Sequence, residues 1–205
     1  MSIKVRLGET ILSTLTAPSK VARQVRQSEP FIATIVVLCL STFSSAVNEL
    51  LICRAAAGYM ASAAFVVWAF MLNLALSFLL VIGALVFLSF FLHILGARVY
   101  LGRLVWIVPL SLAPWMLATP LGLVATCVGG GLGVALTVPG YVILFFWSLG
   151  VLVQMVAEVS ETDVLRALLA VAMSLGAAVL LMWGISVTAF FSSFSFLVAL
   201  TPPIA

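Results

Sequence analysis

The stretch ASAAFVVWAFMLNLALSFLLVIGALVFLSFFLHILG, residues 61–96, decides the fold of this chain. It contains no Asp, Glu, Lys or Arg. It is longer than the roughly 20 helical residues that cross about 30 Å of hydrocarbon, and slightly short for two spans joined by a turn. Whether this stretch crosses a membrane once or twice sets the number of spans and the side on which every later loop lies.

The composition of the chain requires a lipid environment. Hydrophobic residues make up 65% of the 205 positions and charged residues only 7%, whereas an ordinary soluble domain has roughly 45–50% and about 25%. One compact core of this size could not enclose so many apolar side chains, so lipid must solvate many of them. We therefore predict an all-α integral membrane protein whose first partner is the lipid bilayer.

Four further apolar stretches are long enough to cross a bilayer, which gives five predicted transmembrane helices. The first of the five stretches along the chain, residues 31–52, follows a tail longer than the basic region of a signal peptide. We therefore interpret it as a membrane anchor that is not cleaved. The membrane domain covers residues 31–205, with spans at about 31–52, 66–96, 104–127, 132–156 and 164–189.

The placement of the cations favours a single crossing by residues 61–96. With one helix there, the N-terminal tail, the link with Arg98 and Arg103, and the link before Arg166 share one side, which holds eight of the nine Lys and Arg residues. With two helices, Arg98 and Arg103 would move to the other side. The positive-inside rule thus predicts five spans, with the N-terminus cytoplasmic and the C-terminus outside.

Residues 1–30 form a polar, basic tail. Thr16 can cap a short helix that has Pro18 near its first turn and continues to about Gln27. Apolar residues lie beside its cations, so we predict an amphipathic helix that lies on the membrane surface and is attracted by anionic head groups. The tail has no aromatic stacking surface, and no nucleic-acid partner is predicted.

Short motifs from the second to the fifth span resemble those of a known family. They are the helix end His93 to Gly96, Leu112-Ala113-Pro114 with Pro120, Trp147-Ser148-Leu149, and Glu158-Val159-Ser160 followed by Ala167-Leu168. On these motifs the chain resembles the Yip family, polytopic membrane proteins that interact with Ypt/Rab GTPases, and specifically its shorter prokaryotic branch. The resemblance implies a five-span Yip domain in a prokaryotic cytoplasmic membrane, also called the cell inner membrane. It further implies a non-enzymatic role in membrane organisation, trafficking or homeostasis through other membrane proteins or a second copy.

Three prolines, Pro109, Pro114 and Pro120, fall inside the third predicted span. Each proline removes a backbone donor and frees the carbonyl four residues earlier, so this helix should be kinked or locally unwound. The carbonyls freed in this way are those of Val105, Leu110 and Met116.

Interrupted helices near the middle of a bilayer can bind solutes through their free backbone groups. The alternative function is therefore a small-solute transporter or channel, in which the broken third span works against the fourth span with Pro139 and Trp147. The alternative without a functional role is that Ser111, Thr119 or neighbouring chains bond the freed backbone carbonyls.

The ionisable residues of the membrane region lie near its two surfaces. His93 and Glu158 are near inner ends, where they could form a polar cluster with Arg98 and Gln154, or act only as interfacial anchors. The middle of the bilayer lacks a titratable relay, and no metal-ligand spacing or paired carboxylates occur. We therefore predict no catalytic residue, no cofactor and no metal.

Polar and small residues suggest how the helices pack. We expect Asn48, Glu49 and Asn73 to pair between the first two spans, as interhelical hydrogen bonds commonly do in membranes. The stripe Ala172, Gly176 and Gly184 of the fifth span could be a homodimer seam or an internal packing face. The glycines 129–131 and 133 predict a tight outer turn, and a Cys53–Cys127 disulfide is a hypothesis for the outer face.

Single cysteines at Ser2, Gly102, Glu161 and Ala205, on a background without native Cys, test the predicted topology in intact cells. We expect the first three to be protected from an impermeant thiol reagent and the last to be labelled, because only the C-terminus lies outside. Labelling at Gly102, or protection at Ala205, would contradict five spans.

Overall fold

The computed structural model describes residues 7–27, 30–57, 63–98 and 100–181, and these ranges are helical with no strand. Short connections of one to six residues join most of the helices, so consecutive helices are neighbours in the bundle. The helices are α1 Leu7–Thr16, α2 Pro18–Gln27, α3 Phe31–Ala57, α4 Ala63–Ile94, α5 Leu101–Leu110, a 3-10 helix Ala113–Leu117, α6 Ala118–Val128, α7 Gly130–Val159, and α8 Val164–Leu181, where the described residues end.

Five segments within the described ranges are long and apolar enough to cross a membrane: Phe31–Ile52, Phe70–Ile94, Leu101–Val128, Gly130–Val159 and Val164–Leu181. The predicted all-helical, multi-pass architecture is thereby confirmed at this level. The observed segments agree with the predicted spans, and their bounds differ mainly where a helix continues beyond its most apolar window.

The decisive second stretch forms one uninterrupted helix. α4 has 32 residues, and at about 1.5 Å of rise per residue it is about 48 Å long. It therefore exceeds the roughly 30 Å of hydrocarbon, and the excess is accommodated by tilt or by extension into the interface. Because no turn divides residues 63–94, this stretch can cross only once.

Three segments that the charge pattern placed on one side do meet at one end of the bundle. Arg26 of α2 and Arg98 of the α4–α5 connection both form ion pairs with Glu161 of the α7–α8 connection. We call this the basic end of the bundle. Its assignment to the cytoplasm stays a prediction, because it depends on the positive-inside rule alone.

The buried centre of the bundle is formed mainly by α3 and by the third and fourth spans, whereas α4 is peripheral. Half of the most apolar window of Leu101–Val128 is buried, against 11% of the window of Phe70–Ile94. α4 is apolar on all sides and has no polar face. In water such a helix would need burial in protein, and in a membrane lipid can cover it.

The N-terminal helices belong to the packed core. Val21, Ala22 and Val25 of α2 are at most 4% exposed, and α2 packs against α7 and α5. The apolar face that the sequence assigned to the membrane surface is therefore covered by protein. Contact of the cationic face with head groups stays a prediction. Thr16 does not cap α2, since it ends α1 and its hydroxyl donates to the carbonyl oxygen of Leu12 at 2.9 Å.

The end of α4 is fixed by a glycine in the left-handed conformation. Gly96 has a φ of 72°, and its N–H donates to the carbonyl oxygen of His93 at 3.0 Å. The N–H of Ala97 donates to the carbonyl oxygen of Leu92, also at 3.0 Å. These two bonds form a Schellman motif, which satisfies the last carbonyls of the helix and turns the chain toward α5.

The predicted glycine turn between the third and fourth spans is confirmed. Gly129 and Gly130 have φ values of 72° and 57°, and glycine adopts a positive φ without a steric cost. A few residues later α7 approaches α6 so closely that a Cβ at Gly133 would overlap the carbonyl oxygen of Ala125.

The described residues of the predicted small-residue stripe on α8 do not pack inside the bundle. Ala172 and Gly176 are exposed, and no atom lies within 4 Å of a Cβ built at Gly176. The internal-packing interpretation of this stripe is therefore wrong for these two positions, because the buried face of α8 is the other one, with Ala167, Ala170 and Val171. Gly184 lies outside the described residues.

Gly133→Ala should destabilise the bundle by about 1–3 kcal/mol, because the new methyl group meets a backbone carbonyl that cannot rotate away. Gly150→Ala is the matched control on the same helix, since no atom lies within 4 Å of its Cβ. Thermal unfolding of the purified protein in a mild detergent measures both. Equal unfolding midpoints for the two variants would contradict the close approach of α6 and α7.

Candidate functional site

The third span is locally unwound around Pro114, as predicted. α5 ends at Leu110, directly after Pro109, and the Ser111 and Leu112 N–H groups donate to the carbonyl oxygens of Ile107 and Pro109 at 3.0 and 3.1 Å. A 3-10 helix with Pro114 in its first turn follows, and α6 starts at Ala118. The break places a run of non-α backbone near the middle of a membrane-spanning segment.

One serine of α3 satisfies the backbone at this break. Pro120 has no N–H, so it cannot bond the carbonyl oxygen of Met116. The Ser44 hydroxyl donates to that oxygen at 2.9 Å, and the Thr119 N–H, which is free at the start of α6, donates to Ser44 Oγ at 3.0 Å. Thr119 Oγ1 in turn donates to the backbone carbonyl of Ser44 at 3.3 Å. The freed carbonyl of Met116 is therefore used inside the protein.

Asn48, one turn after Ser44, extends this polar contact toward α7. It is 0% exposed, and its Nδ2 donates to the hydroxyl of Tyr141. Gly122 of α6 faces it so closely that any side chain there would overlap Asn48 Oδ1. We call Ser44, Asn48, Thr119 and Tyr141 the polar seam. The predicted pairing of Asn48 with the second span is wrong, because its side chain points toward the third and fourth spans.

The other two residues of this predicted group pair as expected. Asn73 Nδ2 of α4 donates to Glu49 Oε2 of α3 at 3.2 Å, which confirms the predicted hydrogen bond between the first two spans. Both helices are apolar around this contact. It therefore fixes the register of α4, which has few other specific contacts with the bundle.

A second polar group lies at the basic end. Arg23 Nε lies 3.3 Å from Glu158 Oε1, Arg26 pairs with Glu161, and Arg98 lies 3.2 Å from the second oxygen of Glu161. We call these five residues the arginine–glutamate cluster. Arg98 and Glu158 share this cluster, as predicted, although they pair with Glu161 and Arg23 and not with each other. The sequence analysis missed Glu161 and the two arginines of α2.

His93 and Gln154 do not join the arginine–glutamate cluster. Both side chains are exposed, and neither forms a hydrogen bond or ion pair with the cluster among the described residues. Their inclusion in an inner-face site is therefore wrong. Gln154 lies four residues before Glu158, on nearly the same face of α7 but about 6 Å further along the helix from the end where the cluster forms.

Glu161 is the only non-glycine residue with a positive φ in the described part of the chain, at 52°. It follows the end of α7, and the Thr162 N–H donates to the carbonyl oxygen of Ala157 at 3.1 Å. This conformation costs roughly 1–2 kcal/mol for a residue with a Cβ. Arg26 offsets part of that cost, since it binds both the Glu161 carboxylate and, at 3.4 Å, the Glu158 carbonyl oxygen at the helix end.

The remaining candidates form no site with the third span. Trp147 is 38% exposed on α7, and Pro139 is also exposed, so neither faces the break at Pro114. Cys127 is exposed with a free thiol. The proposed disulfide also involves the Cys53 side chain, which lies outside the described residues. No group of three potential metal-ligating side chains occurs among the residues that the structure describes.

Comparisons with known proteins give no relative from which a function could be carried over. No protein-family model, no curated protein and no solved structure matches this chain significantly. The resemblance to the Yip family therefore stays a prediction that depends on the short motifs of the sequence.

Ser44→Ala should destabilise the protein by about 1–3 kcal/mol, because it leaves the Met116 carbonyl and the Thr119 N–H without a partner. In a Pro120→Ala background the loss should be smaller, since the substituted residue supplies an N–H for the Met116 carbonyl. Thermal unfolding of the four proteins of this double-mutant cycle measures the coupling. Ser148→Ala is the control, because Ser148 is buried but its hydroxyl has no partner among the described residues. An equal loss in both backgrounds would contradict the assigned bond.

Proposed function

We propose that this chain is a non-enzymatic, Yip-type membrane protein that acts by binding other membrane proteins or lipids and so contributes to membrane organisation or trafficking. The observation that carries the proposal is how the bundle uses its polar groups. At mid-membrane the polar seam binds its own helices, and the surface that remains available to partners is apolar.

Few side chains inside the bundle could take part in catalysis. Within the polar seam the hydroxyl groups and the Asn48 Nδ2 bond one another or the backbone, while the buried Asn48 Oδ1 has no partner among the described residues. Glu49 is exposed and pairs with Asn73, while the acidic residues of the basic end pair with arginine. Acid–base catalysis requires a positioned group that can exchange a proton with a substrate. A membrane-organising role requires no such group, and the pairing of these side chains therefore supports that role.

Two outward surfaces could receive a partner helix. On α4 the side chains of Leu79, Ile82, Val86 and Phe90 follow one stripe and are 57–61% exposed. On α8 the exposed Leu169, Ala172 and Gly176 form a flatter stripe. Small residues let two helix backbones approach closely in a membrane. The stripe on α8 is therefore the better candidate for a protein partner, and the stripe on α4 for lipid.

The alternative, a small-solute transporter or channel, has one observation in its favour and one against it. The third span is broken, as such a site requires. However, Ser44 already occupies the Met116 carbonyl that the break releases. A solute would have to displace this bond, and we regard a partner-binding bundle as better supported.

The location is proposed on the same evidence as the topology. The basic end, with its arginines from three separate segments, fits the cytoplasmic face of a membrane. The resemblance to the prokaryotic branch favours a bacterial-type cytoplasmic membrane. Enzymatic activity is not proposed.

Site-specific photocrosslinking in intact membranes tests the proposed function. A photoreactive residue is placed in turn at Ala172 and Gly176 on α8, and at Ile82 and Val86 on α4. We expect one discrete protein adduct from both positions of α8 and mainly lipid adducts from α4, because only the flat stripe admits a close helix. The adduct mass distinguishes a second copy from another protein. Lipid adducts alone from all four positions, together with solute flux in reconstituted vesicles, would favour the transporter instead.

A further inference from the structure

A cleft of about 440 Å³ opens at the basic end, between α2 and the start of α5. Its lining combines cationic, aromatic and apolar side chains with no acidic one. The lining residues are Val25, Arg26, Gln27, Tyr100, Gly102, Arg103 and Trp106. We call it the aromatic–arginine cleft.

The cleft has an excess of positive charge. The Arg103 guanidinium lies over the Tyr100 ring, 4.3 Å from its centroid, so its orientation is fixed by a cation–π contact. Among the described residues Arg103 has no carboxylate partner. Arg26, on the opposite wall, shares Glu161 with Arg98. Two carboxylates therefore face three arginines in the adjoining cluster, and Arg103 adds a further positive charge.

The backbone at the cleft also favours an anion. α5 begins at Leu101 with Tyr100 as its N-cap residue, and the Tyr100 side chain makes no capping hydrogen bond. The first N–H groups of an α-helix carry its positive dipole end. In α5 the Arg103 N–H already donates to the carbonyl oxygen of Tyr100 at 2.8 Å, which leaves the N–H groups of Leu101 and Gly102 for a ligand. Gly102 lies in this first turn, and no atom lies within 4 Å of a Cβ built there, so the backbone is accessible from the cleft.

The wall toward the membrane is apolar. Trp106 contacts Phe31 edge to face, with 5.8 Å between the ring centroids. Phe31, Leu101 and Val105 are 56%, 58% and 41% exposed, so the starts of α3 and α5 offer exposed apolar side chains near the cleft. Tryptophan and tyrosine at the end of a span are typical of the level of lipid head groups.

From these features we infer that the aromatic–arginine cleft binds the phosphate group of an anionic phospholipid. Arg26 and Arg103 bind the phosphate oxygens, as arginine does through paired N–H donors. The start of α5 adds backbone donors, and the acyl chains lie on the apolar surface of Phe31, Leu101 and Val105. A soluble phosphate offers the same oxygens but cannot use that surface, so the lipid is the favoured source.

Lipid titration of the purified full-length chain in a neutral detergent, followed by native mass spectrometry, tests this inference. We expect phosphatidylglycerol to bind with a lower Kd than phosphatidylcholine. Arg103→Gln should raise the Kd for phosphatidylglycerol roughly tenfold, because it removes a charge-assisted contact. Arg166→Gln is the matched control, since it removes the same charge outside the cleft, where Arg166 pairs with Asp163 at 3.3 Å. Equal weakening by both variants would overturn a defined site and indicate general surface charge.

Gly102→Asp tests the cleft independently of any structural role of Arg103. A carboxylate in the first turn of a helix stabilises the helix, so this variant should unfold at or above the temperature of the unmodified chain. It should nevertheless lose the preference for phosphatidylglycerol, because the new charge repels the phosphate. Retained preference would overturn the inference. In a second experiment, inorganic phosphate is added in place of lipid and the stability of the protein is measured. Stabilisation by phosphate that depends on Arg103, without preference for the anionic lipid, would assign the cleft to a soluble anion and also overturn it.

Discussion

The structure depends on one constraint, that a backbone polar group inside a bilayer must find its partner within the protein. Most of this chain meets the constraint with uninterrupted helices. The third span cannot, because its prolines remove backbone donors. Ser44 resolves the conflict at Pro120, where one hydroxyl accepts from Thr119 and donates to Met116. This contact also aligns α3 with α6, and the rest of the centre is arranged around that pair.

The polar seam continues from this contact and determines where small residues are required. Asn48 reaches Tyr141 across α6, and this is feasible only because Gly122 leaves space for the amide. Gly133 then allows α7 to return close to α6. The glycines that matter for packing are therefore those of the third and fourth spans. Ala172 and Gly176 of α8 remain on the outside, where they can meet lipid or a partner.

The arginine–glutamate cluster plays the corresponding role at the basic end. Its side chains are partly exposed, between 30% and 72%, so each pair alone contributes little. Together they connect α2 with the two connections at this end, and Arg26 also binds the end of α7. The basic end is thereby a single packed surface, on which the aromatic–arginine cleft lies beside a fixed α2.

The amino-acid sequence by itself determined the all-helical class, the number of helices apolar enough to cross a membrane and the unwound third span. These properties follow from residue type, apolar length and proline position, all of which are local. Only the tertiary structure decided which polar groups meet. Asn48 faces Tyr141 although Asn73 was the expected partner, and Glu158 meets Arg23 while His93 and Gln154 remain exposed. The apolar face of α2 is buried in protein for the same reason. A helix that is apolar all round gives no sign of which side faces a neighbour, so the rotation of each span, and with it the composition of each site, is set by packing between helices.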